Sequence, residues 1–401
     1  MMASKRRHYE DSYLTRFDAT IAAVGEWQGS PAVELEQTWF YAEMGGQLGD
    51  RGRLGDVAVP DVQVTDDGRV WHLVETLPEA WRAGSTLAAE IDWARRFDHM
   101  QQHTGQHVLS AALEREFDCA TLSSTLGAER CVIEIAMPSI DWRVVQTLEG
   151  FANRVLWEDR ELRTHWTDDV GIAAFPLRKP PKVTGAIRVV EIPDWDFSAC
   201  GGTHVRRTGE VGIVKIIGWE KVRGNVRLVF HCGGRALADH QWRTEALVEA
   251  GRTRSVKDRD VIAQLEKLAE ERDAVAKQLR ELRAAQLAAE VRAKVGEPPR
   301  AFAEISATRT REEAREVALH ALSAGAPWVV SAASGAEPVV VIGRAKTASA
   351  DLKSLLPDLL AAAKGKGGGS PEMLQVAAAD GASAEAAYAL ACERVKALVE
   401  G

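Results

Sequence analysis

The sequence predicts an α+β chain built in successive pieces, and three observations carry that reading. Short apolar runs broken by Gly, Asp and Pro fill the stretch before residue 250; a proline-free run rich in Ala, Leu, Glu, Arg and Lys follows; strand-like and helix-like segments then alternate beyond Pro298 and Pro299. Eleven of the twelve tryptophans lie at or before Trp242, and no proline falls between Pro193 and Pro298, so the two halves differ in construction. The boundary is expected near residue 250.

In the first half, Val70 to Val74, Ile187 to Ile192, Gly212 to Ile217 and Val226 to Phe230 read as strands of antiparallel sheet, because each is a short apolar run bounded by turn formers. Helices interrupt the sheet. The clearest carries His103 and His107 and continues through Leu109, Ala112 and Leu113. From Lys257 to Val295, positions 261, 265, 268, 272, 275, 279, 282 and 286 recur with four-three spacing, and six of the eight are apolar: Val261, Leu265, Leu268, Val275, Leu279 and Leu282. That spacing predicts a long helix with a coiled-coil seam, ended by Gly296, Pro298 and Pro299. Beyond it, strands at Trp328 to Ala332 and Val339 to Gly343 alternate with helices at Glu312 to Leu322, Ala350 to Ala363 and Ala382 to Leu398, the pattern of a small α/β domain. Lys364 to Pro371 reads as a glycine-rich loop, either a flexible connector or a backbone cradle with two lysines that could approach a phosphate.

Composition bounds the setting. With 401 residues, 46% hydrophobic and 27% charged, the chain is expected to be a soluble globular protein of two or three domains. Its net charge of −8 argues against a protein that coats nucleic acid non-specifically but leaves room for a local basic groove, so any RNA contact must be focused. No apolar run reaches the roughly 18 residues of a membrane span, and the basic segment Met1 to His8 lacks the apolar core of a signal peptide. No membrane partner and a cytoplasmic location are expected. The five cysteines, Cys119, Cys131, Cys200, Cys232 and Cys392, are odd in number and scattered, which argues for a reducing compartment over a disulfide framework.

The chemistry is concentrated in two pairs of residues. His103 and His107 stand four apart on a predicted helix, which puts both imidazoles on one face. Cys200 and His204 repeat the spacing in Cys200-Gly201-Gly202-Thr203-His204. Either pair alone is also what packed histidines or a buried thiol look like, but together they spell one Zn²⁺ per chain. Three neutral imidazoles and one thiolate would leave net +1 at the metal, enough to polarise a carbonyl oxygen or acidify water, yet four protein ligands also suit a closed structural site. Thr104 and Gln106 flank the histidine stripe while Gly105 faces away. Neither flanking side chain is a good general base, so both are expected to position and select a substrate, with Asp196 or a water at the metal handling protons.

Phe97 to Ser110, taken with Asp196 to Val205, resembles the editing domain of alanyl-tRNA synthetase and its free-standing relatives, the AlaX editing proteins. Thr38 to Gly52 looks like the glycine-rich motif of that family, Lys221 to Leu228 is similar to the turn and strand that close its editing domain, and the helical spacer and C-terminal domain resemble its shared tail. The resemblance implies an N-terminal β-barrel subdomain over 1–92, a zinc editing domain of antiparallel sheet plus helix over 93–250, a long coiled-coil helix over 251–297 and a small α/β domain for dimerisation or tRNA binding over 298–401. It further implies a zinc-dependent aminoacyl-tRNA deacylase that removes serine, glycine or both from alanine tRNA as a homodimer, and that is expected to act in trans because the chain before the first histidine pair is too short for a class II aminoacylation core.

Physics gives such an activity a purpose: a pocket sized for alanine discriminates against one methyl or one hydroxyl by only about 1–3 kcal/mol, so a second site must remove the errors. On the resemblance, Thr104 would bond the seryl hydroxyl, Gln106 with Gly45, Gly46 and Gln47 would shape the pocket, and Lys221, Arg223 and Arg227 would meet phosphate. The rival expectation is a non-catalytic tRNA-binding protein with a structural zinc. A metallopeptidase is disfavoured because the histidine pair lacks the Glu of His-Glu-x-x-His.

Overall fold

The computed structural model describes residues 5–400, with side chains described for residues 5–398. It is a mixed α and β chain whose sheets are mainly antiparallel, and it divides into two compact units, Met1–Arg254 and Ser255–Gly401.

The first unit opens with seven antiparallel strands in the order Val57–Val59, Gly52–Leu54, Thr86–Ile91, Arg16–Trp27, Ser30–Leu35, Val70–Leu73 and Asp61–Val64. Its two end strands are halves of one run, 57–64, separated only by Pro60, so the sheet is brought round on itself. Proline suits that break because it has no N–H to give a ladder. Ile21, Val33, Leu35, Phe40, Leu54 and Val62 fill its interior.

Helix α1, Trp93–Phe117, follows directly, started by Asp92, whose side chain accepts from the Arg95 N–H, and ended by Asp118 in the left-handed region at φ 48°. Every residue from Gln102 to Leu113 is buried. A helix covered all round would ordinarily be apolar, so the polar side chains it carries here must find partners. Its apolar side, with Met100, Val108, Leu109 and Leu113, packs with Val145, Leu148 and Leu156 of helix α2 (Trp142–Trp157) and with Ile133, Ile135, Leu228 and Phe230. The last four lie in an antiparallel sheet ordered Thr121–Leu126, Cys131–Ile135, Asn225–Cys232 and Val214–Val222. A three-stranded sheet, Arg163–Thr167, Ile187–Ile192 and Asp196–Ala199, delivers the downstream ligand pair, and helix α3, Gly233–Arg254, ends the unit.

The second unit begins with helix α4, Val261–Val295, whose 35 residues span about 50 Å. Only its ends are buried: Val261 at the start and Leu287, Val291 and Val295 near the finish. The middle of the seam is open, with Leu265, Val275, Leu279 and Leu282 between 45% and 69% exposed. The five-stranded sheet that follows is ordered Phe302–Ser306, Trp328–Ala333, Val339–Arg344, Met373–Ala377 and Lys366–Ser370. Alternate residues of its central strands serve two cores. Val329, Val339 and Val341 meet α4 and helix α5 (Arg311–Ser323), while Val330, Val340 and Ile342 meet helices α6 (Leu356–Ala363) and α7 (Gly381–Glu400).

One expectation is corrected here. The glycine-rich run is no loop: Lys366–Ser370 is an edge strand paired antiparallel with Met373–Ala377. A Cβ on Gly367 would stand 2.4 Å from the Gln375 carbonyl oxygen and one on Gly369 2.1 Å from that of Met373, so the glycines permit the strand to lie against its neighbour. All five cysteines are free, and no helix among the described residues is long and apolar enough to cross a membrane.

Candidate metal centre and its cleft

The fold brings the two distant pairs together. One ligand atom from each of His103, His107, Cys200 and His204 lies within 4.8 Å of the others, and Cys200 Sγ stands 3.4 Å from His103 Nε2 and 3.3 Å from His204 Nε2. Tetrahedral zinc at ordinary bond lengths puts such atoms roughly 3.3–3.6 Å apart. The residues present therefore fit a zinc ion.

The second nitrogen of every ring is accounted for. His103 Nδ1 bonds Gln47 Oε1 at 2.6 Å, His107 Nδ1 faces Asp196 Oδ2 at 3.3 Å, and His204 Nδ1 meets Thr104 Oγ1 at 3.1 Å. With each Nδ1–H donated outward, all three Nε2 lone pairs are left to converge with the sulfur, the arrangement that fixes tautomer and ring direction in metal sites. Burial opposes charging of Cys200, but His103, His204 and His107 outweigh it and hold the thiol well below its ordinary range. His204 is kept neutral, pushed down to about 3 by burial first and His103 second. His107 differs: burial opposes its charging, but Cys200 and Asp196 outweigh it and raise the ring to about 9, so a metal would bind there by displacing a proton, leaving a thiolate beside neutral imidazoles.

Local structure sets these positions. The first pair is fixed by α1, which is stapled to the glycine-rich segment by a fully buried ion pair between Arg96 and Asp50. Arg96 also donates to the Ser12 and Trp39 carbonyls at 2.6 Å, and Asp50 accepts from the Tyr41 N–H at 2.6 Å, so the charges are hydrogen-bonded throughout. This staple holds Gln47, which also donates to Thr203 Oγ1 at 2.8 Å, behind His103. Downstream, a Cβ on Gly202 would come within 2.0 Å of His103 Cε1, so only glycine admits the ring. Arg188 fixes the same turn by donating from Nη1 to the carbonyls of Cys200 at 3.0 Å and Gly202 at 2.9 Å.

The cluster opens into a cleft of about 940 Å³. His103, His107 and Cys200 line it, whereas His204 stands behind them. Arg6, Arg178, Lys179, Lys182 and Arg188 also line it, and among the described residues no Asp or Glu does. A second depression of about 880 Å³, around Arg16, Arg51 and Trp93 on the N-terminal sheet, has no comparable ligand group among the described residues.

The other anticipated residues divide. Gln106 and Gly45 line the cleft. Gly46 is spent on packing, since a Cβ there would lie 2.8 Å from the Ser124 carbonyl oxygen, and its own carbonyl accepts from the Leu126 N–H at 2.8 Å. Thr104 is placed otherwise than expected: it is fully buried outside the cleft, with Oγ1 occupied by His204 and by the Val205 N–H at 3.2 Å. Asp196 likewise sits behind His107. It also accepts from Arg178 Nε at 3.0 Å and Ser198 Oγ at 2.8 Å, and although burial opposes it, His107 and then Arg178 depress its carboxyl to about 2. Both are therefore placed as holders of the rings. Lys221, Arg223 and Arg227 lie in or beside the turn between Val214–Val222 and Asn225–Cys232, away from the cleft lining, and Arg227 pairs with Glu134 and Glu220 at 3.5 and 3.4 Å. The Asp50–Arg96 staple and Arg188 had no signal in spacing, because their partners are distant in sequence or are backbone carbonyls.

Comparison with known proteins fits this geometry. Residues 187–229 match the family described as the threonyl and alanyl tRNA synthetase second additional domain, a stretch that includes Arg188, Asp196, Cys200 and His204. The chain is 34% identical over 241 residues to the alanyl-tRNA editing protein AlaX-L of Pyrococcus horikoshii, covering 58% of this chain and 59% of that one. It is 38% identical over 246 residues to the alanyl-tRNA editing protein Aarsd1 of Rattus norvegicus, covering 57% and 58%. The alanine–tRNA ligase of Pyrococcus abyssi is 37% identical over 256 residues, 61% of this chain and 27% of the ligase. The chain thus spans about three fifths of the length of the editing proteins it matches. Over that span the chain is similar to alanyl-tRNA editing proteins, the resemblance its histidine and cysteine motifs carry.

Proposed function

We propose that the protein is a trans-editing aminoacyl-tRNA deacylase that hydrolyses Ser-tRNA(Ala), Gly-tRNA(Ala) or both. One observation carries the reading: three of four converging metal ligands face a cleft that has five cationic side chains and no carboxylate, in a chain of net charge −8. Such a cleft attracts a polyanion and repels none of it. The likeness to two alanyl-tRNA editing proteins supports the same substrate.

In this reading His103, His107, Cys200 and His204 would hold one zinc per chain, which when bound would supply Lewis acidity for ester hydrolysis. Gln47, Asp196 and Thr104 keep the three rings aimed. Water adds to the ester carbon, the bond to the ribose oxygen breaks, and that oxygen takes a proton, leaving the free amino acid and intact tRNA. Gln106, whose amide nitrogen donates to Ser110 Oγ at 2.8 Å, offers its carbonyl oxygen to a seryl hydroxyl, and Gly45 leaves room beside it. Alanine brings no hydroxyl to satisfy that oxygen. The division at 1–92, 93–250, 251–297 and 298–401 assigns substrate and metal to the first two parts. The open seam of α4 then joins two chains as a homodimer working in the cytoplasm.

The complete set of four protein ligands favours a second reading, a tRNA-binding protein whose zinc only braces the fold. Full-length protein carrying one zinc per chain, incubated with Ser-, Gly- and Ala-tRNA(Ala), separates the two. The deacylase reading expects release of serine or glycine with alanine spared; intact ester on all three tRNAs leaves the binding protein.

A further inference from the structure

One wall of the cleft is unexplained by the metal. Trp166 and Arg188 are directly opposed residues of the paired strands Arg163–Thr167 and Ile187–Ile192. Both line the cleft, and Tyr9 stands with them: its ring meets Trp166 edge-on at 5.5 Å, and the Arg188 guanidinium lies 5.4 Å from its centroid. Trp166 is 54% exposed and, unlike the more exposed Trp142, Trp157 and Trp242, it lines the cleft, so its ring is open to a guest there. Arg188 is 8% exposed and lines the cleft; its Nη1 is taken by two carbonyls, while among the described residues its Nη2 has no hydrogen-bond partner and it forms no ion pair with a carboxylate. A buried guanidinium without a counter-carboxylate leaves unmet donors and charge, which is costly unless a ligand supplies the acceptor.

The two features call for one kind of guest. An open indole edge-packed by a tyrosine is a stacking surface for a planar π-system, and a fixed guanidinium beside it matches a phosphodiester oxygen. Because Arg188 also grips the carbonyls of Cys200 and Gly202, this wall is joined rigidly to the metal turn. A seryl or glycyl group fills little of about 940 Å³, so the rest of the cleft is available to a nucleotide.

We propose that Trp166, Tyr9 and Arg188 form the seat for the terminal nucleotide of the RNA, with its base stacked on Trp166 and its 5′ phosphodiester held by Arg188. This deepens the deacylase reading and rests on it for the identity of the RNA. Single-stranded RNA ends are commonly recognised in this way, because every base has a π-face and the phosphate spacing is constant. Trp166 contributes binding without selecting the amino acid, whereas Arg188 is a positioning residue that couples the nucleotide to the Cys200 turn.

The test uses the full chain, loaded with zinc, and a tetranucleotide 5′-ACCA-3′ bearing serine through a non-hydrolysable 3′ amide. A matched probe lacks only the terminal base. Trp166→Ala should weaken binding of the first probe by about ten-fold, within the range for losing one stacked base, and leave the abasic probe unchanged. Trp166→Phe should restore most of the loss. Arg188→Gln should reduce the slope of log affinity against log salt by roughly 0.7, the signature of one lost phosphate contact on a single strand. A role confined to bracing the Cys200 turn would instead lower zinc content and leave that slope alone.

No binding of the probe by the parent chain, equal losses on both probes, or unchanged binding by Trp166→Ala would overturn the seat. Failure of the deacylase reading looks different: Trp166-dependent binding with no cleavage of any mischarged tRNA. Cleavage by a Trp166→Ala protein with parental KM and parental probe affinity would remove the seat and leave the deacylase standing.

Discussion

His103, His107 and His204 each meet a different kind of partner through Nδ1: an amide oxygen, a carboxylate and a hydroxyl. Sequence spacing made the histidine and cysteine cluster legible, but it could not assign these partners, because Gln47 and Asp196 lie 56 and 89 residues from the rings they hold. Loss of such outer partners usually costs about 10–100-fold in metal affinity. Gln47→Ala and Asp196→Asn are expected to weaken zinc by that order in a chelator competition, with the fold retained by circular dichroism. Thr104→Val is expected to behave like them, since its hydroxyl is turned to His204. A Thr104→Val protein with parental zinc affinity and an altered preference between serine and alanine would return Thr104 to the pocket.

Among elements, the N-terminal sheet carries a pH-sensitive support behind the glycine-rich motif. His72 is completely buried, its Nε2 meeting the Thr38 hydroxyl at 2.8 Å and its Nδ1 the Val33 carbonyl at 3.2 Å. Burial pushes its pKa from 6.5 down to about 4, so the folded chain refuses a proton that the unfolded chain binds. The stability this represents is complete above about pH 6.5 and is lost as pH falls toward 4, a change of about 3 kcal/mol. Urea midpoints measured across that window should fall, and His72→Gln should flatten part of the trend; an unchanged slope in the variant would assign the effect elsewhere.

The same scale explains what was legible. Ile187–Ile192, Trp328–Ala333 and Val339–Arg344 announce themselves as apolar runs, and α4 through its spacing. Lys366–Ser370 did not, because glycine carries no side chain to mark a strand and is ordinarily a turn former. Here the absent side chains are what the pairing needs. Gly367→Val should therefore lower the melting temperature of the second unit, by the equivalent of about 1–3 kcal/mol of overpacking, while leaving zinc content intact. The metal pairs were legible and the cleft was not, since Arg6, Tyr9, Trp166 and Arg188 converge from separate segments with no shared motif.

At the scale of the whole molecule, the chain forms two compact units. Residues 1–254 contain all four ligands and the cleft, so that fragment alone should fold and bind one zinc. The exposed apolar seam of α4 is expected to pair with a second chain: full-length protein should sediment as a dimer, and the double change Leu279→Lys with Leu282→Lys should shift it to monomer. Both outcomes concern assembly. The central claim concerns chemistry at the cluster, and a zinc titration of single-turnover deacylation of Ser-tRNA(Ala) tests it most directly. The rate should rise in proportion to bound zinc, level at one equivalent per chain, and vanish in Cys200→Ala. A fully loaded protein that leaves the ester intact, or a metal-stripped one that cleaves it as fast, would contradict the account.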